Sequence, residues 1–368
     1  MLDEKVLASA EFYAKAGHSC LASDPKRAKY LFTNACKKYH ELAEQCPERR
    51  DEFYALYDHY YALANGESAP ATSQTPKVKE KPVVKVEEKT PEEEFKDRQK
   101  VFEEASKELD ELIGLNEVKE QVRSIIANQK INRYLLEENL PEDAAGSLNI
   151  KLLGNPGTGK TTVARILAKF YYGIGVLYTP NYVEAGRNTL VGQYQGQTAP
   201  LVHEKIENAR DGVMFIDEVY SLNQGEGDSF GHEAIDQLTL EMDNHTKDIV
   251  FITAGYKEQF DRFAKVNPGI DSRFPITINF PDYNAEELYL IFASLCKKYM
   301  KIYSKEVESK LRENFVEVIK NKNEYFGNGR FVREYFNRVI LSQKRRLAEL
   351  NRRPTKLELQ TIELIDLK

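Results

Sequence analysis

Apolar residues recur at every third and fourth position early in the chain. Ala28, Leu31, Phe32, Ala35, Tyr39 and Leu42 form one stripe, the spacing of an amphipathic helix. Ser23 or Asp24 before Pro25 is a helix start, and Cys46-Pro47 marks the next break. Three helices are predicted near 3–22, 24–46 and 48–65, an all-α bundle over 1–66. Residues 67–91, ESAPATSQTPKVKEKPVVKVEEKTP, carry four prolines and no aromatic residue. So little apolar surface cannot offset the entropy of ordering, and the stretch reads as a flexible linker. Helical periodicity returns from Glu92. After Gly146 it alternates with apolar runs at 148–153, 181–184, 213–216, 249–254 and 276–280. Strands alternating with helices predict a parallel five-stranded sheet covered on both faces, an α/β core over 92–282. Beyond Asp282 the pattern is helical almost to the end, giving a lid-like helical domain over 283–368.

Composition adds limits rather than a function. The 368 residues are 41% hydrophobic and 30% charged, with a net charge of −6 and a pI near 5.8. Phosphate-backbone binding usually leaves a basic footprint, so nucleic acid is not the expected partner. Cys20, Cys36, Cys46 and Cys296 show no metal-type spacing and read as reduced thiols. No apolar run approaches the length of a membrane span. The start, MLDEKVLASAEFY, lacks the basic-then-apolar order of a signal peptide, and the expected location is the cytoplasm.

Chemistry enters at GNPGTGKTT, Gly154 to Thr162, between a strand-like and a helix-like segment. Gly154, Gly159, Lys160 and Thr161 fit G-x-x-x-x-G-K-[ST]. Glycines let the backbone curl with its N–H groups inward, capped by a helix N-terminus, which makes a nest for nucleotide phosphates. Lys160 supplies a point charge for the β- and γ-phosphates, and Thr161 a hydroxyl ligand for Mg²⁺.

A second run, GVMFIDE from Gly212 to Glu218, ends a buried strand in two acids. Acids at a strand's carboxyl end face the crevice where open α/β sheets bind ligands. Asp217 is placed to hold Mg²⁺, and Glu218 to orient and polarise an attacking water.

These two motifs, with LIGLNEVKEQV upstream and NPGIDSRF downstream, resemble those of AAA+ ATPases. More narrowly, TLVGQYQGQTAP, FIDEVYSL, FGHEAIDQL, ITAGY and FPDYNAEEL resemble the CbbX/SpoVK/EccA branch, which includes red-type Rubisco activase, a sporulation ATPase and the type VII secretion ATPase. The resemblance runs from about Glu92 to Leu350. It implies a P-loop core with a helical lid, ATP and Mg²⁺ as cofactors, and nucleotide contacts along Asn155, Pro156, Gly157, Thr158, Gly159, Lys160, Thr161 and Thr162. It further implies that Ile113 and Gly114, within Leu112–Leu115, lie beside the adenine. By the same resemblance Arg273 is an arginine finger reaching a neighbouring subunit, which implies a ring, a homo-hexamer. Arg330 in GNGRFVR is the implied lid arginine, with Arg333 one turn on as the competitor.

Two departures from the family stand out. Many AAA+ proteins have Asn at the end of the strand next to the acidic one; here it reads VFITAGY, leaving Thr253 or Tyr256 for that place. Tyr194-Gln195-Gly196 matches the aromatic–x–Gly channel loop, but its middle residue is Gln where an apolar one is usual. The expectation is a protein-remodelling motor that grips a client through Tyr194. A nucleotide-dependent switch or scaffold without threading is the alternative.

Three other stretches carry less. His232 beside Glu233 and Asp236 lies outside metal-ligand spacing and reads as a polar surface group. The basic stretch Gln343–Pro354 reads as cations complementing a helix C-terminus. Residues 1–66 loosely resemble both the microtubule-interacting-and-trafficking bundle and a tetratricopeptide pair, modules that bind peptide segments in grooves. Such a bundle is expected to recruit the client.

Overall fold

The computed structural model describes residues 25–65, 91–138, 140, 147–225, 227–246 and 248–367, together with residues 7, 10, 13, 14 and 18. Most of the helix expected over 3–22, and all but the last residue of the linker expected over 67–91, lie outside these residues. The chain divides into two compact units, Met1–Glu88 and Lys89–Lys368.

In the first unit, α1 (Pro25–Gln45) and α2 (Arg50–Ala64) are joined by a single 3-10 turn at Pro47–Arg49. All six residues of the predicted stripe are buried, with Phe53 of α2 set among them. Tyr60 stacks on Tyr39 with ring centroids 5.6 Å apart and on Phe32 at 5.8 Å. Packing of one apolar face, rather than intrinsic propensity, is what stabilises helices of this length.

The second unit opens with α3 (Pro91–Glu111) and α4 (Asn116–Glu137). The core that follows runs β1 (Ile150–Gly154), α5 (Lys160–Gly173), β2 (Tyr182–Ala185), the single turn α6 (Arg187–Leu190), α7 (Thr198–Ala209) and β3 (Val213–Asp217). A 3-10 turn at Val219–Leu222 leads to α8 (Ser229–Asn244), β4 (Val250–Gly255), α9 (Lys257–Val266), the single turn α10 (Pro268–Asp271) and β5 (Ile276–Phe280). All five strands are parallel, in the order β2-β3-β4-β1-β5.

Alternation within β3 shows how one strand serves two cores. Val213 and Phe215 pack with Val163, Ala164 and Leu167 of α5, whereas Met214 and Ile216 pack with α7, α8 and α9. Every residue of β4 is buried. Because β4 lies between β1 and β3, the ends of the phosphate-loop strand and the acidic strand stand two strand spacings apart, about 10 Å. Register confirms that the ends are level: Leu153 lies opposite Gly255, and Asp217 opposite Ala254.

The lid comprises α11 (Ala285–Lys298), β6 (Ile302–Tyr303), α12 (Lys305–Lys320), α13 (Asn328–Ala348), α14 (Lys356–Gln360) and β7 (Thr361–Ile362). Asn284 caps α11 through a reciprocal box with Glu287, and Ser304 caps α12. Phe292, Phe315 and Phe336 form its aromatic centre, with the Phe315 and Phe336 centroids 6.1 and 5.6 Å from that of Phe292. The pairing of β6 with β7 is an element that the helical pattern did not reveal. Cations of the basic stretch meet acids nearby in the chain: Arg346 pairs with Glu363 and Asp366, and Arg352 with Glu358.

Candidate nucleotide site

The crevice forms where β1, β4 and β3 end. Gly154 closes β1 and Lys160 opens α5, so the loop Asn155–Gly159 turns directly from strand to helix. Gly157 and Gly159 have φ of 70° and 100°, backbone that a side chain would strain. Thr158 is wholly buried, and its hydroxyl donates to the Asn155 carbonyl at 2.8 Å, bracing the loop from within. Lys160 Nζ donates to the Gly154 and Asn155 carbonyls, both at 2.8 Å. Burial lowers the Lys160 ammonium to about 8, although Asp217 and Glu218 pull the other way. A cation held in so dry a place is a fit for a polyanion, which would restore the favourable interaction that burial removes. Thr161 lies half-buried in the first turn of α5, with Thr162 exposed beside it.

Asp217 ends β3 at the crevice. Burial first, then the neighbouring Glu218, raises its carboxyl above the ordinary carboxylate value, with Lys160 opposing. Thr161 hydroxyl and Asp217 carboxylate are hard oxygen donors, the set that suits Mg²⁺. Glu218 adopts left-handed backbone, φ 50° and ψ 53°, and its N–H donates to the Ala254 carbonyl at 2.8 Å. A glutamate in that conformation carries strain of the kind that concentrates at functional sites.

Between the two strand ends, the structure distinguishes Thr253 from Tyr256. The Thr253 side chain is wholly buried and its hydroxyl donates to the Ile216 carbonyl at 3.0 Å, so it ties β4 to β3. Tyr256 follows β4, and Lys160 Nζ stands 5.9 Å from its ring centroid. Tyr220 is a group that sequence reasoning missed. Its ring lies over Gly255, where an added Cβ would come within 2.4 Å, and its buried hydroxyl has no hydrogen-bond partner among the described residues. Burial and then Glu218 raise the Tyr220 phenol.

The turn Leu112–Leu115, with Ile113 half-buried in it, passes beside the loop. Gly114 packs on the Glu287 side chain, and Leu115 Cδ1 comes within 3.6 Å of a Cβ built on Gly159. From the lid, the Arg330 backbone nitrogen lies 2.6 Å from where a Gly157 Cβ would sit. Arg330's charge bears on both Lys160 and Tyr256. Arg330 and Arg333, one turn apart, are both exposed.

Arg273 is not part of this crevice. Its carbonyl accepts from Asn149 Nδ2 at 3.0 Å, and Asn149 immediately precedes β1. The residue therefore sits at the amino ends of the strands, a five-residue strand or about 16 Å from its own phosphate loop. Tyr194, Gln195 and Gly196 also stand apart, in the loop between α6 and α7. Tyr194 is 69% exposed, and Gln197 Oε1 accepts from the Gln193 and Tyr194 N–H groups, both at 3.3 Å.

Residues 150–282 match the family model described as "ATPase family associated with various cellular activities (AAA)", and residues 284–368 match an AAA lid domain. Stage V sporulation protein K of Bacillus subtilis (strain 168) is 37% identical over 268 residues, 73% of this chain and 83% of that protein. Protein CfxQ of Xanthobacter flavus is 39% identical over 263 residues, 71% and 82% of the two chains. The chloroplastic ribulose bisphosphate carboxylase/oxygenase activase of Cyanidioschyzon merolae (strain NIES-3377 / 10D) is 38% identical over 279 residues, 74% and 93%. In fold, the crystal structure of the FIGL-1 AAA domain superposes with a TM-score of 0.51 at 18% identity, over 70% of this chain and 80% of that one. A chain identical to such proteins at more than a third of the aligned positions, along most of their length, belongs to their family, the AAA ATPases of the SpoVK, CfxQ and CbbX branch, and it binds nucleotide and hydrolyses ATP.

Proposed function

We propose that this ATPase is a ring-forming motor that remodels a protein client. The observation that carries the reading is the place of Arg273. An arginine at the amino ends of the strands is out of reach of its own phosphates, which lie at the carboxyl ends. It can act only on a neighbour's nucleotide, and six such subunits close a ring in the homo-hexamer that the family resemblance implies. Its guanidinium would then offset charge developing on the γ-phosphate.

Within each subunit the roles divide by chemistry. Loop N–H groups and Lys160 hold the phosphates. Thr161 and Asp217 would hold Mg²⁺, which would supply positive charge against the phosphates. Glu218 orients the attacking water and accepts its proton. Arg330 meets the same nucleotide from the lid, and Ile113 and Gly114 flank the base. Tyr194, Gln195 and Gly196 contact the client, and the bundle of residues 1–66 recruits it. One relative is a ribulose bisphosphate carboxylase/oxygenase activase, which supports a protein client here.

A trap tests the reading. Lys160→Ala loses ATP binding. Glu218→Gln keeps binding, loses turnover by about 10²-fold or more, and retains a client protein through purification in ATP. Turnover near the wild-type rate in Glu218→Gln removes the assignment of Glu218. A monomeric trap with ATP bound removes the ring.

A further inference from the structure

Asp282, in the hinge between β5 and α11, is where core and lid converge. Its Oδ1 accepts from Asn155 Nδ2 of the phosphate loop at 2.9 Å and from Asn328 Nδ2 of the lid at 2.8 Å. Its Oδ2 accepts from Lys322 Nζ at 2.7 Å. The Asn155 amide donates in addition to the Glu324 carbonyl at 2.8 Å. Burial pushes the Asp282 carboxyl up, yet the hydrogen bonds from Lys322, Asn328 and Asn155 more than offset it and hold it below the usual carboxylate range.

Asn328 is the other half of the junction. It is wholly buried at the first position of α13, in left-handed backbone with φ 45°. Its Oδ1 accepts from the Tyr283 N–H at 2.9 Å, and its amide also donates to the Phe326 carbonyl at 2.9 Å. One residue on, Gly329 N–H donates to the Gly157 carbonyl at 3.0 Å. An added Cβ on Gly157 would lie 2.3 Å from the Gly327 carbonyl, so loop and helix run in direct backbone contact. Left-handed asparagine persists when its surroundings over-determine it. Here they do so two residues before Arg330.

We propose that Asp282 and Asn328 are positioning residues for the nucleotide site. They lock the first turn of α13 to the phosphate loop and thereby present Arg330 to the phosphates. Asn155 is the arm through which the loop's conformation reaches the lid. The proposal rests on the reading of Arg330 given above and deepens it. Neither Asp282 nor Asn328 touches nucleotide; both act through Arg330 and the loop.

A double-mutant cycle on the full-length chain tests it, with KM and kcat for ATP as readouts. Asn155 is partly exposed, so Asn155→Ala spares the buried junction. Its expected effect is a rise in KM of about tenfold with kcat within about twofold, shrinking to under about twofold in an Arg330→Ala background. At the hinge, Asp282→Asn keeps the Oδ1 acceptor for both amides and stays within about threefold of the wild-type KM, whereas Asp282→Ala does not. A seam that merely holds the fold together lowers the melting temperature and leaves KM unchanged, and that result overturns the proposal. So does an Asn155→Ala factor that persists undiminished without Arg330, or equal KM for the two Asp282 variants. Failure of the Arg330 reading shows separately, as an Arg330→Ala chain with wild-type KM.

Discussion

Arg273 meets Asp243 along one edge of its guanidinium: Nε donates to Oδ1 at 2.8 Å and Nη2 to Oδ2, while Nη1 donates to the Gly269 carbonyl. The hydrogen bond from Arg273 holds the Asp243 carboxyl below its ordinary value. An arginine acting on the next subunit must give up this pair or carry it along. The side chains are 27% and 53% exposed, and solvent-exposed ion pairs contribute about 0–1 kcal/mol. Release therefore costs no more than about fivefold in rate.

The first prediction follows from that balance. Asp243→Asn raises the steady-state ATPase of the assembled protein by up to about fivefold, by freeing the finger. Arg273→Ala lowers it by about 10³-fold. Mixing Arg273→Ala with Glu218→Gln recovers part of the activity, because some interfaces then join an intact Arg273 to an intact Glu218. Phosphate release by the mixed rings, with subunit exchange verified by native mass spectrometry, is the measurement. Strictly inactive mixed rings rule out action between subunits. A loss of ATPase in Asp243→Asn shows instead that Asp243 holds the finger in its working pose.

Lys160 gives a prediction in pH. Burial brings its ammonium from the ordinary 10.5 down to about 8. Between those values the unfolded chain binds the proton and the folded one does not, so this residue's contribution to stability rises with pH across that window. For ATP the sign reverses. Phosphate favours the charged lysine, so binding must restore the proton, and affinity falls as pH climbs above about 8. At pH 8.5, binding takes up roughly three quarters of a proton; at pH 7, roughly a tenth. Calorimetry in two buffers of different ionisation enthalpy reads the uptake directly. A binding enthalpy independent of buffer at pH 8.5 would falsify the assignment of a depressed Lys160.

How much of this the sequence discloses depends on the range of each interaction. The stripe from Ala28 to Leu42 and the loop from Gly154 to Thr162 are local patterns, so periodicity and spacing are enough to find them. Tyr220 is different. Nothing in EVYSL says that its ring will lie over Gly255, thirty-five residues on. That β4 turns the Thr253 hydroxyl toward the Ile216 carbonyl is likewise invisible in the sequence. The contact of α13 with Gly157, which brings the Arg330 backbone beside the phosphate loop, also depends on the chain's return from the lid. Asp282 and Asn328 lie forty-six residues apart in the chain, and only the hinge brings them together. The short β6–β7 pair left no periodic signal, having two residues in each strand.

Tyr194 separates threading from switching. The residue is 69% exposed at the tip of the loop between α6 and α7. The turn around it is built locally: the Gln197 side chain accepts from two consecutive N–H groups, and the Gln197 N–H donates back to the Tyr194 carbonyl at 3.3 Å. Gly196 continues it at φ 81°, with nothing within 4 Å of where a Cβ would sit. The phenol ring is therefore presented to solvent by a turn whose hydrogen bonds do not involve it. An exposed ring makes apolar contact with an extended chain of almost any sequence, which suits repeated gripping. The loop is also tied to the segment that follows β3. Arg187, in the turn preceding it, donates to the Leu222 carbonyl at 2.6 Å and pairs with Asp228, four and ten residues past Glu218. Removing the ring alone should leave both the turn and this tie intact. Tyr194→Ala is expected to assemble and to hydrolyse ATP within about twofold of wild type, with client remodelling reduced at least about tenfold. The assay pairs phosphate release with unfolding or release of the client captured by Glu218→Gln. Remodelling at the wild-type rate excludes threading through this loop and leaves a nucleotide-dependent switch as the reading. Loss of ATPase with loss of assembly places Tyr194 in a subunit contact instead, because its side chain makes no hydrogen bond among the described residues.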